Sequence, residues 1–278
     1  MRKLKVLQSL WGMESLKNQS YNPSLEENLE RIQNAGFDGF STHFFDSKNV
    51  AKLMSAERVK SMLIEGQAFP SAIDDLMPAL ELANKYQIHH LTVQANVRPI
   101  EFSECVKIVE GWLRLSEQSS VPVYIETHRG RLNNDMLMAL KLLDATPQLK
   151  LLADISHYYV AREFPEPPTP NEMDEQVKTL LSKSWAAHAR IASPGQVQIP
   201  IHFPQHAPYL LQFSQWWQWL MVNWAERSDE NATLAFTCEL GPAPYAISGE
   251  DGQDLTDRWQ EALFLKSHLK KLWAEIAI

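Results

Sequence analysis

A single eight-stranded parallel β/α barrel spanning residues 1–278 is the fold class this sequence predicts. Three observations predict it. Short apolar runs alternate with longer amphipathic ones along the whole chain, which implies parallel strands joined by right-handed helical crossovers. Roughly eight such units fit the length, the count of a closed barrel. The turn after the first strand is Leu10-Trp11-Gly12-Met13-Glu14. It lacks the glycine-rich phosphate loop by which an open doubly wound sheet usually declares itself.

The first strand is expected at residues 5–10. A helix follows at 23–35, where Ser24 and Glu27 have capping-box spacing, Leu25, Leu29 and Ile32 share one face, and Gly36 ends the run. Strand two falls at 39–44, a short helix at 50–54, strand three at 62–67 and a helix at 72–86. Strand four covers 90–95, a helix 102–115 and strand five 121–127. The second half repeats the scheme, with strands at 149–155, 186–191 and 234–239. Its helices fall at 135–143, 172–181, 206–224 and 255–274. Two irregular stretches, 164–170 and 193–208, follow late strands and are expected to act as lids over the barrel mouth.

Composition narrows the function. With 45% hydrophobic and 22% charged residues, the chain has the balance of a globular protein with a large core, not of a disordered one. No apolar run approaches the roughly 20 residues that span a bilayer, and residues 1–12 lack a signal-peptide core. Cys105 and Cys238 lie far apart and suggest no disulfide framework. A cytoplasmic location is the resulting expectation. A net charge of −8 argues against nucleic acid as a partner but leaves room for a small anionic substrate.

The chemistry concentrates at the ends of the four late strands: Glu126, Asp154, His188 and Glu239. Each is the polar interruption closing an apolar strand, as in Val123-Tyr124-Ile125-Glu126 and Phe236-Thr237-Cys238-Glu239. One such carboxylate alone would be an ordinary cap or surface group. Four on successive strands would converge on one cavity. Three carboxylates buried together repel and raise one another's pKa values unless a cation neutralises them. Three oxygen ligands and one imidazole suit one Mn²⁺, Mg²⁺ or Co²⁺ ion better than tetrahedral Zn²⁺.

At these residues the chain resembles the xylose isomerase-like superfamily, including its sugar phosphate isomerase and tagatose or psicose epimerase branches. The strings that carry the resemblance are Glu126-Thr127-His128-Arg129-Gly130-Arg131, Asp154-Ile155-Ser156-His157, His188-Ala189-Arg190 and Glu239-Leu240-Gly241-Pro242, with Tyr245 following. The resemblance implies Glu126, Asp154, His188 and Glu239 as metal ligands, His157 as a substrate contact and Arg190 as a positive group near the reacting oxygens. The chain departs from it at Ala186, where relatives often carry a further histidine, and in the loop 195–208. The superfamily's apurinic endonucleases assemble a zinc cluster from further histidines. Gln67, Gln94 and Asn96 occupy the corresponding regions here, so one metal is expected rather than three.

The expected activity is isomerisation or epimerisation of a small sugar, sugar phosphate or keto acid. Glu126 and Glu239 would move the proton through an enediolate stabilised by the cation and Arg190. A dehydratase or lyase acting on a sugar-derived acid is the alternative enzyme, and a non-catalytic metabolite-binding protein the alternative to an enzyme. His128, Arg129 and Arg131 follow strand five and suit a phosphate or carboxylate, with Arg129 taken as the binding group; rim ion pairs would explain them equally well. Trp11 and Gln94 are further candidate substrate contacts, as are His43 and Asn96. His202 and His206 are expected to be solvated loop residues. Trp216, Trp217, Trp219 and Trp224 are expected to pack their helix, whose aromatic faces would also suit a homodimer.

Overall fold

In the computed structural model of the chain, which describes residues 1–17 and 21–276, eight parallel strands close into one barrel in sequence order. They are β1 Lys3–Ser9, β2 Gly39–His43, β3 Leu63–Ala68, β4 His90–Val93, β5 Val123–Glu126, β6 Leu151–Ala153, β7 Ser184–Ala189 and β8 Thr233–Cys238. Closure comes from β1 pairing with β8 in a ladder from Lys3–Thr233 to Gln8–Cys238. The surrounding helices are α1 Leu25–Asn34, α2 Ser47–Met54, α3 Met77–Tyr86, α4 Phe102–Ser116, α5 Met136–Ala145, α6 Ile155–Ala161, α7 Asn171–Leu181, α8 Ala207–Arg227 and α9 Arg258–Glu275. No helix among the described residues is long and apolar enough to cross a membrane. Both cysteines are buried free thiols.

Caps set the helix boundaries. The Ser24 hydroxyl accepts from the Glu27 amide at 3.2 Å and the Glu27 carboxylate accepts from the Ser24 amide at 2.7 Å, which completes the capping box of α1. Asp46 caps α2 and moves its start ahead of residue 50; Asp257 caps α9 and moves its start behind residue 255. Helix α6 lies outside the sequence expectation. It is short, and Ile155 to Tyr159 are all buried, so no polar face marks its period.

The two irregular stretches are both hydrogen-bonded to the body of the fold. Residues 164–170 join α6 to α7 and do not directly follow a strand. Buried Phe164 stacks on Tyr159 at 4.8 Å, and the Thr169 amide donates to Gln212 of α8 at 3.0 Å. The loop 193–208 is tied to the fold near its middle. Gln198 exchanges two hydrogen bonds with the Gly241 backbone, at 2.8 and 3.0 Å, and the Ile201 amide donates to Glu261 of α9 at 3.0 Å. His202 is exposed, while His206 is half-buried and bonds the Pro200 carbonyl. Trp216, Trp217 and Trp224 are buried, and Trp216 donates to Asp174 of α7 at 2.7 Å, so the aromatic face of α8 packs within the fold.

Burial pushes Glu261 up to about 7 despite the hydrogen bond from Ile201. The folded state then holds a proton that the unfolded chain releases near its ordinary value of 4.5. The contribution of Glu261 to stability therefore falls as pH rises from about 4.5 to about 7 and stays low above that window. Glu261→Gln keeps a neutral acceptor for Ile201. It is expected to gain on the parent across this window, by about 1–3 kcal/mol at pH 8. Urea midpoints at pH 5 and pH 8 check this, and an equal offset at both would contradict it.

Inside the barrel, Leu7, Tyr124, Leu152, Ala186 and Ala235 form an apolar plug separate from the core under the helices. Side chains along a strand alternate between faces. Two residues beyond the plug, the same inward face therefore presents Glu126, Asp154, His188 and Thr237, and two further on Arg190 and Glu239. This alternation converts four strands into one polar centre above a dry base.

Candidate metal centre

Glu126, Asp154, His188 and Glu239 each offer a ligand atom, and these atoms lie within 4.8 Å of one another. All four side chains are buried. His188 Nδ1 faces the carboxylates, 3.0 Å from Glu239, 3.7 Å from Glu126 and 4.0 Å from Asp154. Gln67 orients Glu239 with a hydrogen bond of 2.7 Å to Oε1. Asp154 keeps the ordinary role of a cap as well, accepting from the Ser156 amide at the start of α6. Arg190 contacts the Asp154 carboxylate, approaches Glu239 at 3.4 Å and His157 at 3.2 Å, and packs under the Tyr245 ring.

The sequence reading did not find Glu65. Its carboxylate lies on β3, fully buried, and bonds His188 Nε2 at 2.8 Å. Thr92 and Thr237 donate to its two oxygens. This acceptor holds a proton on His188 Nε2, so that a cation displacing the Nδ1 proton would find Nδ1 turned to the carboxylate cluster, the carboxylate–histidine arrangement that orients ligands in metal sites.

Charge and coordination are unbalanced in the centre. Four carboxylates, counting Glu65, face two cationic groups, His188 and Arg190. Burial disfavours charge on Glu65 and Glu239, but His188 pulls both down to about 2, assisted at Glu239 by Arg190. Burial also opposes charge on His188, and the surrounding carboxylates overcome it, raising the imidazole well above its usual range. Glu126 is the surplus acid. Burial, with Glu239 and Asp154 nearby, pushes it up to about 7, and neither of its oxygens has a hydrogen-bond partner. A divalent cation would supply both the missing charge and the missing contacts. The group fits a metal ion on these grounds.

A cavity of about 220 Å³ opens above the cluster. Of the residues expected to contact substrate, Trp11, Gln94, His128, His157 and Arg190 line it, as does Glu239. Arg129 does not. Gly130, with φ of 66°, turns the chain between the two arginines, and Arg131 lines the wall instead. Asn96 lies behind Arg131 as its hydrogen-bond acceptor. Gln67, His43, Phe69 and Tyr245 complete the lining. The His128 and His157 rings lie 3.6 Å apart, tilted by 32°, and burial holds both well below their usual range, so this histidine pair is uncharged.

Trp11 sits in a one-turn 3₁₀ helix beyond β1, with its edge toward Tyr245 at 5.1 Å. Its ring covers Gly241 so closely that a Cβ there would lie 2.0 Å from it, which accounts for glycine after Glu239-Leu240. Buried Arg258 ties the loops together, pairing with Asp254 and donating to the carbonyls of Gly12 and Leu240.

Solved structures share this architecture. A sugar phosphate isomerase/epimerase from Parabacteroides distasonis matches at a TM-score of 0.60 and 9% identity, over 98% of this chain and 94% of that one. The probable 3-DHS dehydratase AsbF from Bacillus anthracis, involved in petrobactin synthesis, matches at 0.58 and 14% identity over 98% of both chains. A second Parabacteroides distasonis sugar phosphate isomerase/epimerase matches at 0.56 and 10% identity, over 97% and 98%. No protein-family model and no curated protein sequence matches the chain. In fold, the chain is similar from end to end to sugar phosphate isomerase/epimerase and 3-DHS dehydratase structures, the barrel that its late-strand motifs imply.

Proposed function

We propose that the protein is a divalent-metal-dependent isomerase or epimerase of a small sugar, sugar phosphate or keto acid. The observation that carries this reading is the buried cluster of Glu126, Asp154, His188 and Glu239 beneath a small polar cavity, with both Glu126 oxygens unpartnered. These four residues would hold the ion, and the ligand set favours Mn²⁺, Mg²⁺ or Co²⁺ over Zn²⁺. Bound there, it would supply Lewis-acid polarisation of a substrate carbonyl.

The protein's own groups divide the remaining work. Glu239 lines the cavity, so it is the carboxylate placed to reach a substrate proton. Glu126 lies deeper and has the higher proton affinity, which suits it to hold and return one. Arg190 offers fixed positive charge toward developing oxyanions, and His157 beside it offers a neutral hydrogen-bonding edge. Trp11, Phe69 and Tyr245 restrict water at the mouth. A dehydratase is the second reading, supported by the fold-level likeness to the Bacillus anthracis protein. Its proton abstraction could use the same carboxylates, so product analysis separates the two.

Elemental analysis of protein purified without chelators tests the centre. About one equivalent of metal is expected in the parent and none in Glu239→Ala. A parent that stays metal-free in excess Mn²⁺ would remove the basis of the reading. Deuterium uptake from D₂O into candidate sugars then tests proton transfer.

A further inference from the structure

The cavity wall carries one cation that makes no direct ion pair among the described residues, with the Glu126 carboxylate acting on it only at longer range. Arg190 is matched by Asp154 and Glu239. Arg131 differs: its guanidinium donates to the neutral Asn96 side chain, its Nε is buried without a partner, and among the described residues it makes no ion pair. Burial first, and then the nearby Arg98 charge, lower its proton affinity, the mark of a cation short of compensation. Half-buried at the cavity wall, such a group is better satisfied when something anionic joins it. Arginine's planar fork matches the paired oxygens of a carboxylate or phosphate.

The opposite side of the mouth has the other polarity. A second recess of about 260 Å³ shares Trp11, His43 and Gln67 with the first and adds Glu14, Ser41 and Asp46, with no arginine or lysine in its lining. A ligand spanning both would set an acidic group against Arg131 and uncharged hydroxyls toward β1 and β2.

We propose that Arg131 anchors an acidic group of the substrate, a carboxylate or a phosphate, so that the protein acts on sugar acids or sugar phosphates and not on neutral sugars. This rests on the reading of the cavity as the substrate site and names the substrate class for it. Arg131 is a binding and specificity residue; the proton-moving carboxylates lie elsewhere.

The test is calorimetric titration of Mn²⁺-loaded protein with three probes sharing a three-carbon polyol skeleton: D-glycerate, glycerol 3-phosphate and glycerol. At least one anion is expected to bind and glycerol is not. Arg131→Gln should weaken the anion by about 10- to 100-fold, and Arg131→Lys should retain part of the affinity. Binding of glycerate alone identifies a carboxylate, of glycerol 3-phosphate alone a phosphate, and of both the shared chemistry; each supports the proposal if it depends on Arg131. Glycerol binding as well as the anions, no probe binding, or anion affinity unchanged in Arg131→Gln overturns it. Mn²⁺ affinity is titrated separately and should be the same in parent and both variants. A parent that binds no Mn²⁺ defeats the metal reading alone, because the anion titrations on that protein still report on Arg131.

Discussion

Replacing Glu239 by glutamine should reduce turnover by roughly 10²–10⁴-fold, the contribution of a positioned general base. The substitution is nearly isosteric, and the variant can still bond Gln67 through its side-chain oxygen, which now meets Gln67 Nε2 at 2.7 Å. What it removes is the negative charge facing His188 Nδ1 at 3.0 Å and Arg190 at 3.4 Å, together with the ability to accept a proton from carbon. Two effects overlap, because Glu239 is also assigned as a ligand, and they separate by titration. If turnover returns to the parental value at saturating Mn²⁺, the carboxylate serves only to hold the ion. If the variant binds Mn²⁺ fully and remains slow, Glu239 moves the proton. Parental turnover at parental Mn²⁺ concentrations would remove Glu239 from both roles.

Much of this centre is legible in the sequence because three of the four candidate ligands close strands whose preceding inward residue is apolar; only Glu239 follows a polar one, Thr237. Tyr124 precedes Glu126, Leu152 precedes Asp154 and Ala186 precedes His188 by two positions, the spacing that keeps a side chain on one face. The alternation of strand and helix likewise carries the barrel. What could not be read arises from contacts across the fold. Glu65 is one of two polar side chains in Leu63–Ala68, and its partners Thr92, His188 and Thr237 lie 27, 123 and 172 positions away. Arg129 and Arg131 are chemically equal in a string of letters; the positive φ of Gly130 decides which reaches the cavity. Prolines and missing periodicity suggest lids at 164–170 and 193–208; the bonds that tie these stretches to the fold, Gln198 to Gly241, Ile201 to Glu261 and Thr169 to Gln212, join residues 43 to 60 positions apart. Local pattern sets the elements. Long-range polar pairing sets which of their side chains can act.

Glu65 gives the sharpest case of action at one remove. It lies below the cavity and does not line it, so any influence on function must pass through His188. Glu65→Ala leaves the Nε2–H of a fully buried imidazole without its acceptor and strips the Thr92 and Thr237 hydroxyls of theirs. Breaking a buried ionic partnership in this way costs about 3–5 kcal/mol, to be seen as a lower urea midpoint. Glu65→Gln is the informative companion. Its side-chain oxygen can still accept from His188, so the fold should survive, while the lost charge makes the imidazole a poorer donor at Nδ1. Mn²⁺ affinity is then expected to fall by about 10- to 100-fold, the usual consequence of altering a ligand's outer partner. An NMR spectrum of the imidazole nitrogens adds a readout independent of turnover. In the metal-free parent both His188 ring nitrogens should be protonated, and Glu65→Ala, if it folds, should lose one of those protons at a lower pH because the Glu65 charge that favours the imidazolium is gone. A Glu65→Gln variant that binds Mn²⁺ as tightly as the parent would reduce Glu65 to a structural anchor, because a residue that tunes the ligand cannot lose its charge without the ion registering the change.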